Sequence, residues 1–156
     1  MPKARPELLF INILISIDKI KRNIKGLSYV DFVTDEKTFA IVTREMQEIG
    51  ESAKKFKSTP GPWHQLGIEW QDIVDFRNIV VHRYFGINPE IIFDIAITEI
   101  PELEKSVFNL LKQSSEKEYI LEAIIGLRKI FDNIKRQETV DYLDHLANLI
   151  SSKAVE

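Results

Sequence analysis

Residues 70–86 read WQDIVDFRNIVVHRYFG, and the secondary structure of this stretch decides whether the chain is all-α or mixed. Ile73, Val74, Val80 and Val81 are β-branched and would suit a strand as well as a helix. The neighbouring segments settle the choice, because helical periodicity dominates on both sides. Upstream, Phe39, Val42, Met46, Ile49, Ala53 and Phe56 recur at three- and four-residue spacing and form one helical face. Downstream, Asn88-Pro89-Glu90 is a strong helix start: a capping side chain, a proline in the first turn and an acid at the positive end of the dipole. The stretch from Trp70 therefore reads as a helix, ended by Gly86.

The same reading extends to both ends. Leu9, Ile13, Ile17, Ile20 and Ile24 form a first helical stripe, stopped by Gly26. Ser28 with Asp31 has the pattern of a cap for a short turn, Tyr29–Val33. Gly50 interrupts the second stripe and reads as a point of close helix packing. Ser58-Thr59-Pro60-Gly61-Pro62 is a loop by composition, bracketed by Trp63 and Trp70, which anchor it to the core. The helix from Pro89 runs through Ile92, Ile95, Ala96, Leu103, Val107 and Leu110, with a kink or short break expected at Pro101. Gln113-Ser114-Ser115 is the best boundary, and Ser115 with Glu118 has the pattern of a capping box. Leu121, Ile124, Leu127, Phe131 and Ile134 mark one further helix; Val140, Leu143, Leu146, Ala147 and Ile150, between Thr139 and Ile150, mark the last. The expectation is an all-α antiparallel helical bundle over residues 1–113 with a two-helix extension over 114–156.

Composition narrows the function. The chain has 156 residues, no cysteine and a formal charge of −3. The absence of cysteine excludes disulfides, a thiolate nucleophile, Cys-ligated zinc and iron–sulfur clusters. Mild acidity argues against non-specific coating of nucleic acid but not against a local basic site. The apolar run Leu8–Ile17 is too short to span a bilayer and is followed by Asp18, Lys19, Lys21 and Arg22. No targeting segment is evident, so a cytoplasmic location with no membrane association is expected.

The usual catalytic motifs are missing. His64, His82 and His145 lie on three separate segments without metal-ligand spacing. There is no glycine-rich phosphate loop and no G-x-S-x-G. No metal and no cofactor are expected. What remains is Asp75-Phe76-Arg77-Asn78-Ile79-Val80-Val81-His82-Arg83-Tyr84. On a helix Asn78 and His82 are i,i+4 neighbours, while Arg77 and His82 lie roughly 140° apart. One helix alone does not converge them on a small ligand; a groove, or the same element of a second subunit, can. The residue types alone also allow a solvated polar face with His82 merely hydrogen-bonded.

The run Arg77, four residues, His82, one residue, Tyr84 resembles the Arg-x4-His-x-Tyr signature of HEPN-domain toxins of the HepT type. Other stretches agree in order. Ile49-Gly50-Glu51-Ser52-Ala53 is similar to the family's Ile-Gly-Glu-Ala segment, with Ser52 replacing an alanine. Leu27-Ser28-Tyr29-Val30-Asp31-Phe32 is similar to its loop after the first helix, Tyr84-Phe85-Gly86 to its Tyr-Phe-Gly run, and Pro101-Glu102-Leu103 to a stretch near its end. The resemblance covers residues 5–112 and says nothing of the tail.

The resemblance implies a HEPN-like bundle that forms a homodimer, with two motif elements facing across a composite active site. It implies a toxin of a toxin–antitoxin system acting as a metal-independent endoribonuclease on RNA. Its partner would be a minimal nucleotidyltransferase antitoxin that adenylylates the motif tyrosine. On that reading His82 is the general acid/base, with an unperturbed pKa near ~6.5. Arg77 stabilises the phosphate and the transition state through its planar fork of donors. Asn78 orients His82 or binds a phosphate oxygen. Arg83 either positions the RNA backbone or is simply exposed. Tyr84 either packs and caps the helix end or accepts AMP, which would put bulk and negative charge into a phosphate-binding cleft. Glu48 and Glu51, near Glu45, read as a solvated face, Arg44 as a helix-edge residue, and His64 and His145 as surface residues. The alternatives are a non-catalytic helical module that docks a nucleotidyltransferase or holds a nucleotide, and a plain interaction protein. The tail can extend the bundle, lengthen a dimer interface or bind the antitoxin.

Overall fold

Each predicted stripe becomes a helix in the computed structural model, which describes residues 5–57, 59, 61, 68–82 and 88–152; the side chains of 79–82 are outside that description. The helices are α1 (Pro6–Ile24), α2 (Tyr29–Thr34), α3 (Glu36–Lys57), α4 (Trp70–His82), α5 (Pro89–Gln113), α6 (Lys117–Asn133) and α7 (Gln137–Ser151). No strand occurs among the described residues, so the β-branched stretch resolves as helix α4.

Helix α1 is the axis of the bundle. It packs on α3, α5, α6 and α7, and Ile11, Ile13, Ile17 and Ile20 are fully excluded from solvent. A helix apolar on nearly every side is stable only with neighbours on every side. Phe10 of α1, Phe56 of α3 and Trp70 of α4 form an aromatic cluster, with Phe10–Phe56 centroids 4.6 Å apart and Phe56–Trp70 centroids 4.5 Å apart, both edge-to-face. This cluster fixes the start of α4 against the core, as expected of Trp70; Trp63 lies outside the described residues. Short helix α2 places Phe32 between Phe39 and Phe93, with centroids at 5.7 and 5.2 Å.

The local start and stop signals are mostly realised. Ser28 Oγ accepts from the Asp31 amide at 3.1 Å, and Asp31 accepts from the Ser28 amide at 3.2 Å, a complete capping box. Gly26, at φ +75°, follows α1 in the left-handed conformation that stops it. Asn88 caps α5 through the Glu90 amide at 2.9 Å.

One expectation is narrowed and two are corrected. Of the kink or short break expected at Pro101, the break does not occur: α5 is continuous from Pro89 to Gln113. Ala96, Ile100 and Val107 on either side are buried, and this tertiary contact outweighs the lost hydrogen bond. Ser115 does not cap α6. The N-cap is Glu116, which pairs with Arg5 at 3.1 Å while the Arg5 guanidinium stacks 3.7 Å over the Tyr119 ring. Contact with α1 thus sets where α6 begins, and Ser114 accepts from the Glu116 amide instead, at 3.1 Å. Ile134 does not join the buried stripe, because α6 ends at Asn133 and leaves it 58% exposed.

The C-terminal segment extends the bundle. Helices α6 and α7 pack on each other and on α1, and Ile120, Ile124, Leu143, Leu146 and Ile150 belong to the same hydrophobic core as α1. Arg22 ties the two parts together, pairing with Asp18 at 2.8 Å and with Glu138 of α7, and donating to Thr139 at 3.4 Å. The α6–α7 turn is a Schellman motif: the Arg136 amide donates to Phe131 O at 2.9 Å and the Lys135 amide to Asp132 O at 3.0 Å. Lys135 takes the left-handed position, at φ 58°.

Candidate active site

Helix α4 carries the residues of interest, and two contacts with the core position it. Trp70 is held in the aromatic cluster at its start. Further along, α4 meets α3 at Gly50. A Cβ added to Gly50 would overlap the Cβ of Arg77, lie 2.5 Å from its Cγ and 3.4 Å from its Cα. The glycine is therefore a requirement of the crossing, as its reading as a close-packing point anticipates.

That crossing buries most of Arg77. Its side chain is 20% exposed and is paired with Glu51, the residue after Gly50. Arg77 Nη1 also donates to Asn78 Oδ1 at 2.9 Å. Its Nε is buried without a hydrogen-bond acceptor among the described residues. Arginine has five N–H groups. One N–H of each Nη is engaged. Among the described residues the second N–H of each terminal nitrogen has no partner, and a guanidinium with donors on both nitrogens can pair with two oxygens of one phosphate.

One sequence expectation changes here. Glu51, read as part of a solvated face, is half-buried and pairs with Arg77 across the α3–α4 crossing. Glu45 is buried, 3.6 Å from Lys19 Nζ of α1. Glu48 and Arg44 are exposed. Asn78 accepts from Arg77 through its side-chain carbonyl, and among the described residues its amide group has no acceptor. His82 is the last residue of α4, on the same helix as Arg77. Its side chain lies outside the described residues, as do Arg83, Tyr84 and His64. His145 is exposed on α7, well along the chain from this element.

A groove of about 440 Å³ lies beside the element, between α3, α4 and α5, with Ile49, Ile73, Phe76 and Leu103 among its apolar lining. The exposed acids Glu69, Asp72, Glu99 and Glu102 share that lining and make it hostile to phosphate. The groove is therefore a poor place for a phosphate. Among the described residues, no group of three or more His, Asp or Glu side chains is placed to hold a metal ion. No helix of the described residues is long and apolar enough to cross a membrane.

Comparison with known proteins identifies relatives of this chain. "Putative RNase TTE0752" of Caldanaerobacter subterraneus subsp. tengcongensis is 34% identical over 113 residues, covering 72% of this chain and 98% of that protein. "Putative RNase MJ0127" of Methanocaldococcus jannaschii is 30% identical over 113 residues, covering 72% and 92%. "Probable ribonuclease HepT" of Thermococcus cleftensis is 28% identical over 100 residues, covering 63% and 87%. No solved structure matches the chain significantly. The family described as "Ribonuclease HepT-like" matches residues 13–110, the segment that contains α3, α4 and the Gly50 crossing. The chain therefore belongs to the HepT-like ribonuclease family.

Proposed function

We propose that the protein is a metal-independent endoribonuclease toxin that cleaves RNA through its own 2′-hydroxyl, with His82 and Arg77 as the reacting machinery. The observation that carries this reading is the state of Arg77: partly buried and held by two side chains, with one N–H on each terminal nitrogen unpartnered among the described residues, on the helix that also carries His82. A freely waving surface arginine would carry no such argument.

The chemistry follows from the residues. RNA supplies the nucleophile. An imidazole takes the 2′-hydroxyl proton as the oxygen attacks phosphorus. The bond from phosphorus to the 5′-oxygen breaks, and that oxygen receives a proton. The products are a 2′,3′-cyclic phosphate and a 5′-hydroxyl. Arg77 faces the charge that builds on the non-bridging oxygens. Arg77 and His82 are about 140° apart on α4, so a homodimer that sets two such elements face to face would supply two imidazoles and two guanidinium groups to one cleft. Asn78 and Arg83 position the phosphate backbone. The natural place for such an enzyme is the cytoplasm, where RNA is at hand.

In this reading the activity is held in check by a minimal nucleotidyltransferase antitoxin. The Tyr84 oxygen attacks the α-phosphorus of ATP, pyrophosphate leaves, and the bound AMP blocks the cleft by charge and bulk. Residues 1–113 carry the activity and 114–156 extend the fold.

The test uses an RNA oligonucleotide and its 2′-deoxy counterpart. The expected result is cleavage of RNA only, in the presence of EDTA, with cyclic phosphate ends. Cleavage of the 2′-deoxy strand, or loss of all cleavage in EDTA, contradicts the mechanism. Incubation with the nucleotidyltransferase and ATP should add one adenylate to the wild type and none to Tyr84→Phe.

A further inference from the structure

We propose that Glu51 is a positioning residue for Arg77: its carboxylate and Asn78 Oδ1 hold the guanidinium from two sides, so that one N–H on each terminal nitrogen faces an incoming phosphate. The inference rests on the ribonuclease reading for its consequence but not for its geometry.

Three observations on different residues converge. Gly50 brings the backbone of α3 against the stem of Arg77, which fixes where the side chain leaves α4. Glu51, next in sequence, then lies at the guanidinium end and pairs with it. Asn78 takes the other terminal nitrogen at 2.9 Å. Stem and both ends of the side chain are thus set by neighbours. A free arginine side chain otherwise has rotamer freedom that must be given up when its fork engages the charge developing on the phosphate. Prior fixing removes that cost from the reaction itself.

The pairing also has a charge consequence. Glu51 offsets the positive charge of Arg77, so it contributes nothing to RNA affinity by long-range attraction. Its effect must appear in the chemical step. This separates positioning from two simpler roles. An acid that merely repels RNA gives faster cleavage when removed. An acid that merely stabilises the fold changes melting and leaves the rate constant alone; at 37% exposure the Glu51 pair is too wet to hold the fold together.

The experiment compares wild type, Glu51→Ala and Glu51→Gln in RNA cleavage, with 15N NMR of arginine side chains on the same samples. Glu51→Ala is expected to lower kcat by about 10–100-fold with KM unchanged or lower. Glu51→Gln keeps an oxygen acceptor for Arg77 and is expected to recover most of kcat. In the NMR spectrum Arg77 is expected to show resolved, restricted Nη signals in wild type and averaged ones in Glu51→Ala. Wild-type kcat in Glu51→Ala, faster cleavage, or Arg77 signals unchanged by the substitution would overturn the proposal. If Glu51→Ala does not fold, the isosteric Glu51→Gln carries the comparison, with a loss as large as that of Arg77→Ala counting against it. If wild type itself leaves RNA intact, the ribonuclease reading fails, and the NMR comparison alone decides whether Glu51 holds Arg77.

Discussion

Gly50→Ala is the most informative single change to the fold. Elsewhere in a helix this substitution helps, because alanine is favoured over glycine by about 0.5–1 kcal/mol. Here the new methyl overlaps the Cβ of Arg77, 2.5 Å from its Cγ, and also lies 3.4 Å from its Cα. The clash is with the stem of the side chain, which rotation of the guanidinium end cannot relieve. Helices α3 and α4 must separate instead. Overpacking of this kind costs about 1–3 kcal/mol. Subtracting the helix gain leaves a net loss of up to about 2.5 kcal/mol, or up to roughly 10 °C in Tm for a chain of this size. Gly126 is the matched control: it is exposed on α6, with nothing within 4 Å of an added Cβ. Gly126→Ala should gain about 0.5–1 kcal/mol. Thermal melting followed by circular dichroism at 222 nm reads both. The reasoning is refuted if Gly50→Ala melts at or above wild type, or if the two alanines shift Tm in the same direction.

Other predictions follow from the tail and from Asp18. Leu143 is fully buried in the shared core, so Leu143→Ala should cost about 2–5 kcal/mol and leave one melting transition; a separate early transition would show that the C-terminal helices melt on their own. Lys135 holds a left-handed conformation that costs a side chain about 1–2 kcal/mol, so Lys135→Gly should raise Tm slightly, and a fall would count against the Schellman turn. Burial pushes the Asp18 carboxyl above its ordinary 3.8, more than the hydrogen bond from Arg22 lowers it. The folded state therefore binds that proton more tightly than the unfolded state. The resulting stability is complete below 3.8 and is lost as pH rises through the raised value. Tm of Asp18→Asn relative to wild type should consequently be more favourable at neutral pH than at about pH 3, and the reverse order would contradict the sign.

The sequence reveals local structure well here and tertiary structure poorly, for identifiable reasons. The stripes of α1 and α3, the Ser28–Asp31 box, the Gly26 stop and the Asn88 cap depend on residues within a turn of one another, so spacing alone exposes them. Gly50 is legible as a packing point, but its partner is not, because Arg77 lies on another helix. Glu51 is missed for the same reason: on α3 alone it is indistinguishable from its exposed neighbour Glu48. The one available signal is its adjacency to Gly50, since a residue beside a close crossing must meet whatever the crossing brings. Ser115 reads wrongly, and the break allowed at Pro101 does not form, because contacts made elsewhere, the Arg5–Glu116–Tyr119 cluster and the buried flanks of α5, override local preference. Arg77 and Asn78 are legible as candidates from the polar cluster on α4, and their roles come from the family resemblance; their mutual hydrogen bond is not foreseen.

The central claim is that the α4 element cuts RNA, and the most direct test is cleavage of one RNA substrate by wild type, Arg77→Ala and His82→Ala under identical conditions. The account predicts that wild type cuts and that each variant loses at least about 100-fold in rate while keeping its helical spectrum. Equal cleavage by wild type and either variant would contradict it.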